Sequence, residues 1–441
     1  MELVIGFIIL VVLVVVGVPI VFSFGAATIW FTLSLGYDPA FLMPTAYSKL
    51  NGVVLFAIPL FIMAGGIMEK GKIGGALISF IEIFCGRTKG ALCAVASVAC
   101  AVFGSICGSG AATLSCIGSI LAPKMRERNY PMGVAAAVLA CAAPIGMLIP
   151  PSSIQILYAW SGQLSVLACF LSTVLPGILL TILIAIVGVV MARRESHKAG
   201  VEMILDEEVP RHQRWVMARK RTFSAAPALV MPIIILGGIY GGYMTPSEAA
   251  AISVIYALPV SIWVYKGVKI KGLKQVFVET ATTTGVIMVM LSTIMVMSRI
   301  LIMENLPGKV LELLLAISDN KYVILVMINI FLVIIGMIMD DVSGTLLCTP
   351  ILIPIAISLG VSPYHMAAIL GVNLGMGNVT PPTAPMLYMS GRVCKAKTDQ
   401  MLKPILIFII FAYIPVLLLT TFIPAIATTL PKMFMPKIFG M

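Results

Sequence analysis

The sequence predicts an all-α polytopic membrane protein built from two inverted repeats, each with a re-entrant helical hairpin and a discontinuous helix. Three observations predict it. The composition is too apolar for a water-soluble fold. The basic residues gather in loops that alternate along the chain. The same glycine- and proline-rich interruptions recur in both halves.

The first observation is bulk chemistry. Of 441 residues, 60% are hydrophobic and 11% charged, and the mean hydropathy is +1.09. A soluble domain carries about 25% charged residues. Burying this much apolar surface needs lipid, so a bilayer is the expected surrounding. At about 20 residues per span the apolar stretches allow roughly ten crossings. The first stretch, Leu3 to about Phe22, has Glu2 and no basic residue in front of it. It is also too long for the apolar part of a signal peptide and reads as a retained helix. The net charge of +11 reads as basic cytoplasmic loops, and no nucleic-acid partner is expected. The nine cysteines, among them Cys93, Cys100, Cys107 and Cys116, have neither zinc nor redox spacing. They read as small residues that let helices approach.

The second observation is orientation, because loops rich in Lys and Arg stay on the cytoplasmic side. The richest segment, 193–222, holds Arg193, Arg194, Lys198, Arg211, Arg214, Arg219, Lys220 and Arg221. Stepping outward from it, further cytoplasmic groups are Lys70 and Lys72; Arg87 and Lys89; Lys124, Arg126 and Arg128; Lys266, Lys269, Lys271 and Lys274; and Arg392, Lys395, Lys397 and Lys403. Lys49, Arg299, Lys309, Lys321, Lys432 and Lys437 are left on other sides. Both termini are then expected in the periplasm. The pattern holds only if 90–124 and 322–354 each enter and leave on one side, the first from the cytoplasm and the second from outside. Each has a break in its middle, Gly104 to Gly110 and Gly336 to Thr345. Non-helical backbone at membrane depth must be buried in protein or line a cavity, so both stretches read as re-entrant hairpins with polar tips.

The third observation is the repeat. Pro123 matches Pro354, Ala136–Leu139 matches Ala367–Leu370, and Pro150-Pro151 matches Pro381-Pro382, all at one constant spacing. The expected organisation is a first repeat at 1–192, with a hairpin at about 90–124 and a broken helix at about 132–160. A basic linker at 193–222 follows. The second repeat covers 223–430, with its hairpin at about 322–354 and broken helix at about 364–391, and a periplasmic tail covers 431–441. Short amphipathic arm helices are expected at 73–84 and 307–318. Scaffold helices are expected at about 3–35 and 225–265. Paired prolines lack N–H donors and clash with the preceding turn, so they interrupt a helix. The interruption frees N–H groups for an anion and carbonyls for a cation. One such pair would read as a kink; two at mirrored places, each beside a polar hairpin, read as a secondary transporter's site.

These segments resemble the large membrane (M) subunit of the tripartite ATP-independent periplasmic (TRAP) transporters. The matching stretches are Ala57–Gly65, the first hairpin tip, Leu148–Ser152, Tyr243–Ala251, Gly336–Asp340 and Val379–Pro382, in order along nearly the whole chain. The resemblance implies the elevator-type architecture of the ion-transporter superfamily and sodium-driven uptake of an organic acid in a bacterial inner membrane. It also implies two partners, a small four-helix membrane (Q) subunit and a periplasmic substrate-binding protein. Two or more sodium ions are the implied coupling ions. No phosphate-binding Gly-x-x-x-x-Gly-Lys-Ser/Thr loop is present. The chain departs from the family at Cys107-Gly108-Ser109-Gly110, where many members carry more serine. It departs again at Thr383-Ala384-Pro385, where many carry a small apolar residue and glycine; this variant is similar to the sialic acid branch.

Sodium takes hard oxygen ligands. The first expected site is Ser105, Gly108 and Ser109 with Gly146 and Pro150. The second is Asp340, Ser343 and Thr345 with Asn373, Gly377 and Thr380. A carboxylate near hydrocarbon is costly and usually functional, whereas Ser and Thr in helices often only bond the preceding turn. The substrate carboxylate is expected between the breaks, at Pro151, Ser152, Ser153, Pro382 and Thr383. Arg299 either joins it or snorkels to the outer interface and pairs with Glu304. Glu248, three residues after Thr245, reads as a capping box. An intramembrane protease built on Ser109 lacks a base, since His197 and His212 are in the linker and His365 is at a distant helix start, so no enzyme is expected. A stand-alone sodium-coupled anion carrier of the same fold is the alternative, and a passive channel would not need two matched clamps.

Overall fold

The computed structural model describes residues 1–85, 88–200, 202–204 and 211–439. Arg87 and the side chains of Arg211, Arg214 and Lys271 lie outside the described part. Among the described residues every regular element is a helix, and eight helices are long and apolar enough to cross a membrane.

The N-terminal stretch corrects one expectation. Leu3 to Phe22 is not one helix: α1 (Glu2–Val15) and α2 (Ile20–Ser34) are separate. Gly17 turns the chain at φ 93, and Pro19, without an N–H, starts the next helix. The two helices pack on each other, with Gly6 leaving room for the Phe31 ring and Trp30 Nε1 donating to Glu2 O at 3.2 Å. At 1.5 Å per residue each is about 22 Å long, short of a bilayer core of roughly 30 Å. Then come α3 (Leu42–Leu50), α4 (Ala57–Lys70) and the arm helix α5 (Ile73–Cys85).

The first hairpin is α6 (Ala91–Cys107) and α7 (Gly110–Glu127). Gly108 stops α6 in the left-handed region at φ 61, and the Ser109 hydroxyl accepts from Ala112 N to start α7. The broken helix is α8 (Met132–Ala142), a 3₁₀ turn at Ala143–Met147, and α9 (Ser153–Ser161). The long α10 (Val166–Lys198) closes the repeat. It runs into the segment expected to be linker, and α11 (Arg211–Tyr240) starts inside it. In water, helix continues where charged partners support it: Lys198 bonds Glu195 one turn back at 3.0 Å, and Arg193 caps Lys89 O at 2.7 Å.

The second half follows the same order. After α12 (Pro246–Pro259), opened by the Thr245–Glu248 capping box, come α13 (Ile270–Met303) and the arm α14 (Leu306–Ile317). The second hairpin is α15 (Lys321–Ile338) and α16 (Asp341–Ser358). The second broken helix is α17 (Pro363–Gly377) and α18 (Pro385–Cys394). Then α19 (Thr398–Phe408), a π turn, α20 (Ile414–Phe422) and α21 (Pro424–Phe434) end the fold. The expected tail at 431–441 therefore begins inside α21, which packs on α10 and buries Ala427, Thr428 and Pro431.

Packing divides the helices into two groups. α1–α4 and α11–α13 contact one another and form a scaffold. This is larger than expected, because α4 and α13 belong to it. The hairpins, broken helices, α10 and α19–α21 form a second group. Its centre is lined with small residues: every residue from Val134 to Ala143 is buried. Without large side chains, helix backbones meet closely, which is how packing is achieved inside lipid.

Candidate functional site

Each hairpin tip touches the break of its own repeat, backbone to backbone. In the first repeat a methyl on Gly146 would stand 2.9 Å from Gly104 Cα and 3.1 Å from Thr113 Oγ1. A methyl on Gly108 would stand 2.8 Å from Pro151 O. Ser153 fastens the contact, its hydroxyl donating to Gly108 O at 2.9 Å. The scaffold reaches the same tip, since a methyl on Gly65 would stand 2.6 Å from Cys107 Cβ. The second repeat does the same: a methyl on Gly377 would stand 2.5 Å from the Gly336 backbone. Both the Pro150–Pro151 and Pro381–Pro382 peptides are cis.

Several expected ligands are engaged locally. The Ser105 hydroxyl donates to Val102 O at 2.7 Å, Thr345 to Asp341 O at 2.7 Å, and Thr380 to Met376 O at 2.6 Å. Donation uses the hydrogen and leaves the oxygen lone pairs free for a cation. Ser109 O accepts from Thr113 Oγ1 at 2.7 Å. Asp340 caps α16: its carboxylate accepts from Val342 N at 3.2 Å and from the Ser343 hydroxyl. Among the described residues nothing donates to the carbonyl oxygens of Gly146 and Pro150. No group of three His, Cys, Asp or Glu gathers among the described residues. The oxygens at the tips and breaks are hard and neutral apart from the adjacent Asp340 and Asp341 carboxylates, the donor type that hard cations take.

The substrate-side residues divide. Ser152 is fully buried and structural, its hydroxyl donating to Met147 O at 2.6 Å and accepting from Gln155 N. Pro151 is buried, Ser153 is half-buried, and Pro382 and Thr383 are exposed. Arg299 is not brought to the site by any bond among the described residues. It is exposed on scaffold helix α13, and Glu304 instead accepts from Tyr37 at 2.7 Å and stands 3.9 Å from Lys309.

The structure also brings in residues that sequence reasoning missed. The two repeats interlock here, with α18 against α7 and α8, and α9 against α16. Ser390 donates to Ala136 O at 2.6 Å, Tyr413 to Cys141 O at 2.8 Å and Tyr158 to Pro363 O at 2.8 Å. Between α9 and the body of α17, Gln155 Nε2 bonds Ala367 O at 3.3 Å while its Oε1 has no partner. The expected ligand Asn373 is drawn in with them, its Nδ2 donating to Asn329 Oδ1 and Ile369 O, both at 2.8 Å, and Asn329 donating to Thr421 at 2.9 Å. Asn373 Oδ1 and Asn378 Nδ2 are buried without partners. The available signal was a lone amide in an apolar run three residues after Ser152, and Asn378 beside Gly377.

A fold of two interlocked repeats, each clamping a broken helix with a hairpin tip, defines a membrane transporter subunit rather than an enzyme. The family described as "Tripartite ATP-independent periplasmic transporter, DctM component" matches residues 7–426, and the chain belongs to it. Relatives include the isethionate TRAP transporter permease of Oleidesulfovibrio alaskensis, 33% identical over 93% of this chain and 64% of that protein. The chain thus spans just under two thirds of that relative. The C4-dicarboxylate large permease of Pseudomonas aeruginosa is 30% identical over 86% of each chain. The sialic acid large permease of Vibrio cholerae is 30% identical over 95% and 96%. The crystal structure of the Alcanivorax borkumensis YdaH transporter shares the fold, with a TM-score of 0.63 over 86% of each chain at 15% identity.

Proposed function

We propose that the chain forms the translocation path for sodium-coupled uptake of a small organic acid across the bacterial inner membrane. It works with a small membrane subunit and a periplasmic binding protein. The observation that carries this reading is the mirrored glycine contact of each tip on its break, Gly104 with Gly146 and Gly336 with Gly377. A coupling ion bound there joins tip to break, so filling the site changes whether the hairpin packs down; that is the link between ion and movement that coupling needs. Asp340 supplies charge to the second ion, and the exposed Thr383 and the start of α18 take the acid's oxyanion. The hairpin–break group slides against the scaffold in an elevator motion, with the basic end of α11 facing the cytoplasm and both termini outside. Relatives named for a sulfonate, for dicarboxylates and for sialic acid match this chain about equally well, so the proposal rests on the acid group shared by these substrates.

The test is uptake of labelled organic acid into proteoliposomes holding the chain with both partners. Accumulation should follow an inward sodium gradient and vanish when potassium replaces sodium. Uptake that survives the replacement overturns the coupling. Uptake without any binding protein would favour the stand-alone carrier.

A further inference from the structure

Between scaffold and hairpin group, at the end of α4 away from Lys70, lies an open cavity of about 400 Å³. It is lined by Lys49 and Asn51 from the scaffold, Met295 of α13, and Trp160, Ser161 and Gln163 at the end of α9. Its chemistry is donor-rich. Lys49 makes no ion pair among the described residues, and no carboxylate lines the cavity. The Trp160 indole N–H has no protein acceptor among them, and Ser161 Oγ is buried without a partner. The carbonyls of the helix end each take one N–H already, Tyr158 O from Gly162, Ala159 O from Leu164 and Trp160 O from Gln163, and the Asn51 and Gln163 amides add donors as well as acceptors to the lining. One turn beyond Met295 on the same face of α13 stands Arg299, exposed and also without an ion pair among the described residues. A cavity with an unpaired lysine, free N–H and O–H donors and no carboxylate suits an anion.

We propose that this cavity is an outer capture site for a small organic anion, carboxylate or sulfonate, held by Lys49 with Trp160 and Ser161. The inference rests on the chain being an organic-anion transporter and adds a second binding position to it. α9 connects the two positions: its first residue, Ser153, bonds the first hairpin tip, and its last, Ser161, lines the cavity. Nine helical residues span about 13 Å, so an anion in the cavity is one helix length from the first break. Neither tip residues nor Asp340 line the cavity, so binding there needs no sodium.

The experiment uses the full chain in nanodiscs with Trp160 as sole tryptophan, Trp30, Trp215 and Trp263 being replaced by Phe. Potassium succinate and potassium isethionate are titrated in sodium-free buffer against potassium chloride at equal ionic strength, and Trp160 emission is read. One or both organic anions should shift the emission and chloride should not. Lys49→Gln should weaken the response by about tenfold, and Lys49→Arg should restore it, which a merely structural lysine would not require. No response to either anion, an equal response to chloride, or an unchanged titration in Lys49→Gln overturns the proposal. Sodium-driven uptake in proteoliposomes is measured on the same variants. Its loss in the unmodified chain would sink the transport reading, whereas intact uptake with a silent cavity sinks only the capture site.

Discussion

At the residue scale, the glycines at the tips act through what they lack. A methyl on Gly377 meets backbone at 2.5 Å, and backbone cannot swing aside as a side chain can. Gly377→Ala and Gly146→Ala should each separate tip from break, at a cost of about 1–3 kcal/mol, and abolish uptake. Gly285 in α13 has nothing within 4 Å of such a methyl, so Gly285→Ala should leave uptake unchanged and raise stability by up to about 1 kcal/mol. Equal effects at the three positions in uptake and melting assays would remove the clamp argument. Asp340 is engaged by Val342 N and the Ser343 hydroxyl. Asp340→Asn keeps the shape and removes the charge, and should lower apparent sodium affinity by tenfold or more (about 1.4 kcal/mol) while the small subunit still co-purifies. Unchanged sodium dependence would exclude Asp340 as a ligand. Ala384 sits at φ 32, a left-handed conformation costing roughly 1 kcal/mol for a residue with a Cβ. Glycine would adopt this conformation without that cost, so Ala384→Gly should raise the melting temperature.

At the element scale, the arm helix α5 is tied at its base to both helix groups. Glu82 accepts from Lys124 of α7 at 2.9 Å and stands 3.6 Å from Arg221 of α11. Its side chain is 12% exposed while those of Lys124 and Arg221 are 32% and 39% exposed, so the cluster is only partly withdrawn from water. A double-mutant cycle on Glu82 and Lys124 should show coupling of about 1 kcal/mol in thermal unfolding; additive effects would mean that the arm is held by packing alone. The linker adds a strap across the first hairpin's base. Glu202 pairs with Lys89 before α6, Ile204 N donates to Arg128 O after α7 at 3.1 Å, and Met203 between them is buried. A segment that composition marks only as charged is thus partly docked. The reason is a single methionine, whose burial no local pattern announces.

At the scale of the whole molecule, the charge pattern and the fold make one prediction about orientation. Lys220 is exposed near the start of α11, and Lys49 is exposed beside the opposite cavity. In a cysteine-free background, Lys220→Cys should react with impermeant thiol reagents only from the cytoplasm, and Lys49→Cys only from outside. Reversed labelling would turn the protein over and move the capture site to the wrong side of the membrane.

What was legible in the sequence is what local chemistry decides. Gly108, Pro150-Pro151 and Pro381-Pro382 interrupt helices wherever they stand, because glycine tolerates left-handed backbone and proline has no N–H to give. The hairpins, breaks, arms and their repetition therefore follow from residue order, within a few residues of where the structure puts them. The turn at Gly17 was equally local, yet an unbroken apolar run hid it. Tertiary structure alone decided which partners those interruptions meet. It set Gly146 against Gly104, turned Gln155, Asn373 and Asn378 inward, left Arg299 outside, and opened a donor-lined cavity at Lys49. These depend on contacts between residues far apart in the chain. The direction a polar side chain faces is set by how two repeats interlock, and a single strand of sequence does not encode that interlocking position by position.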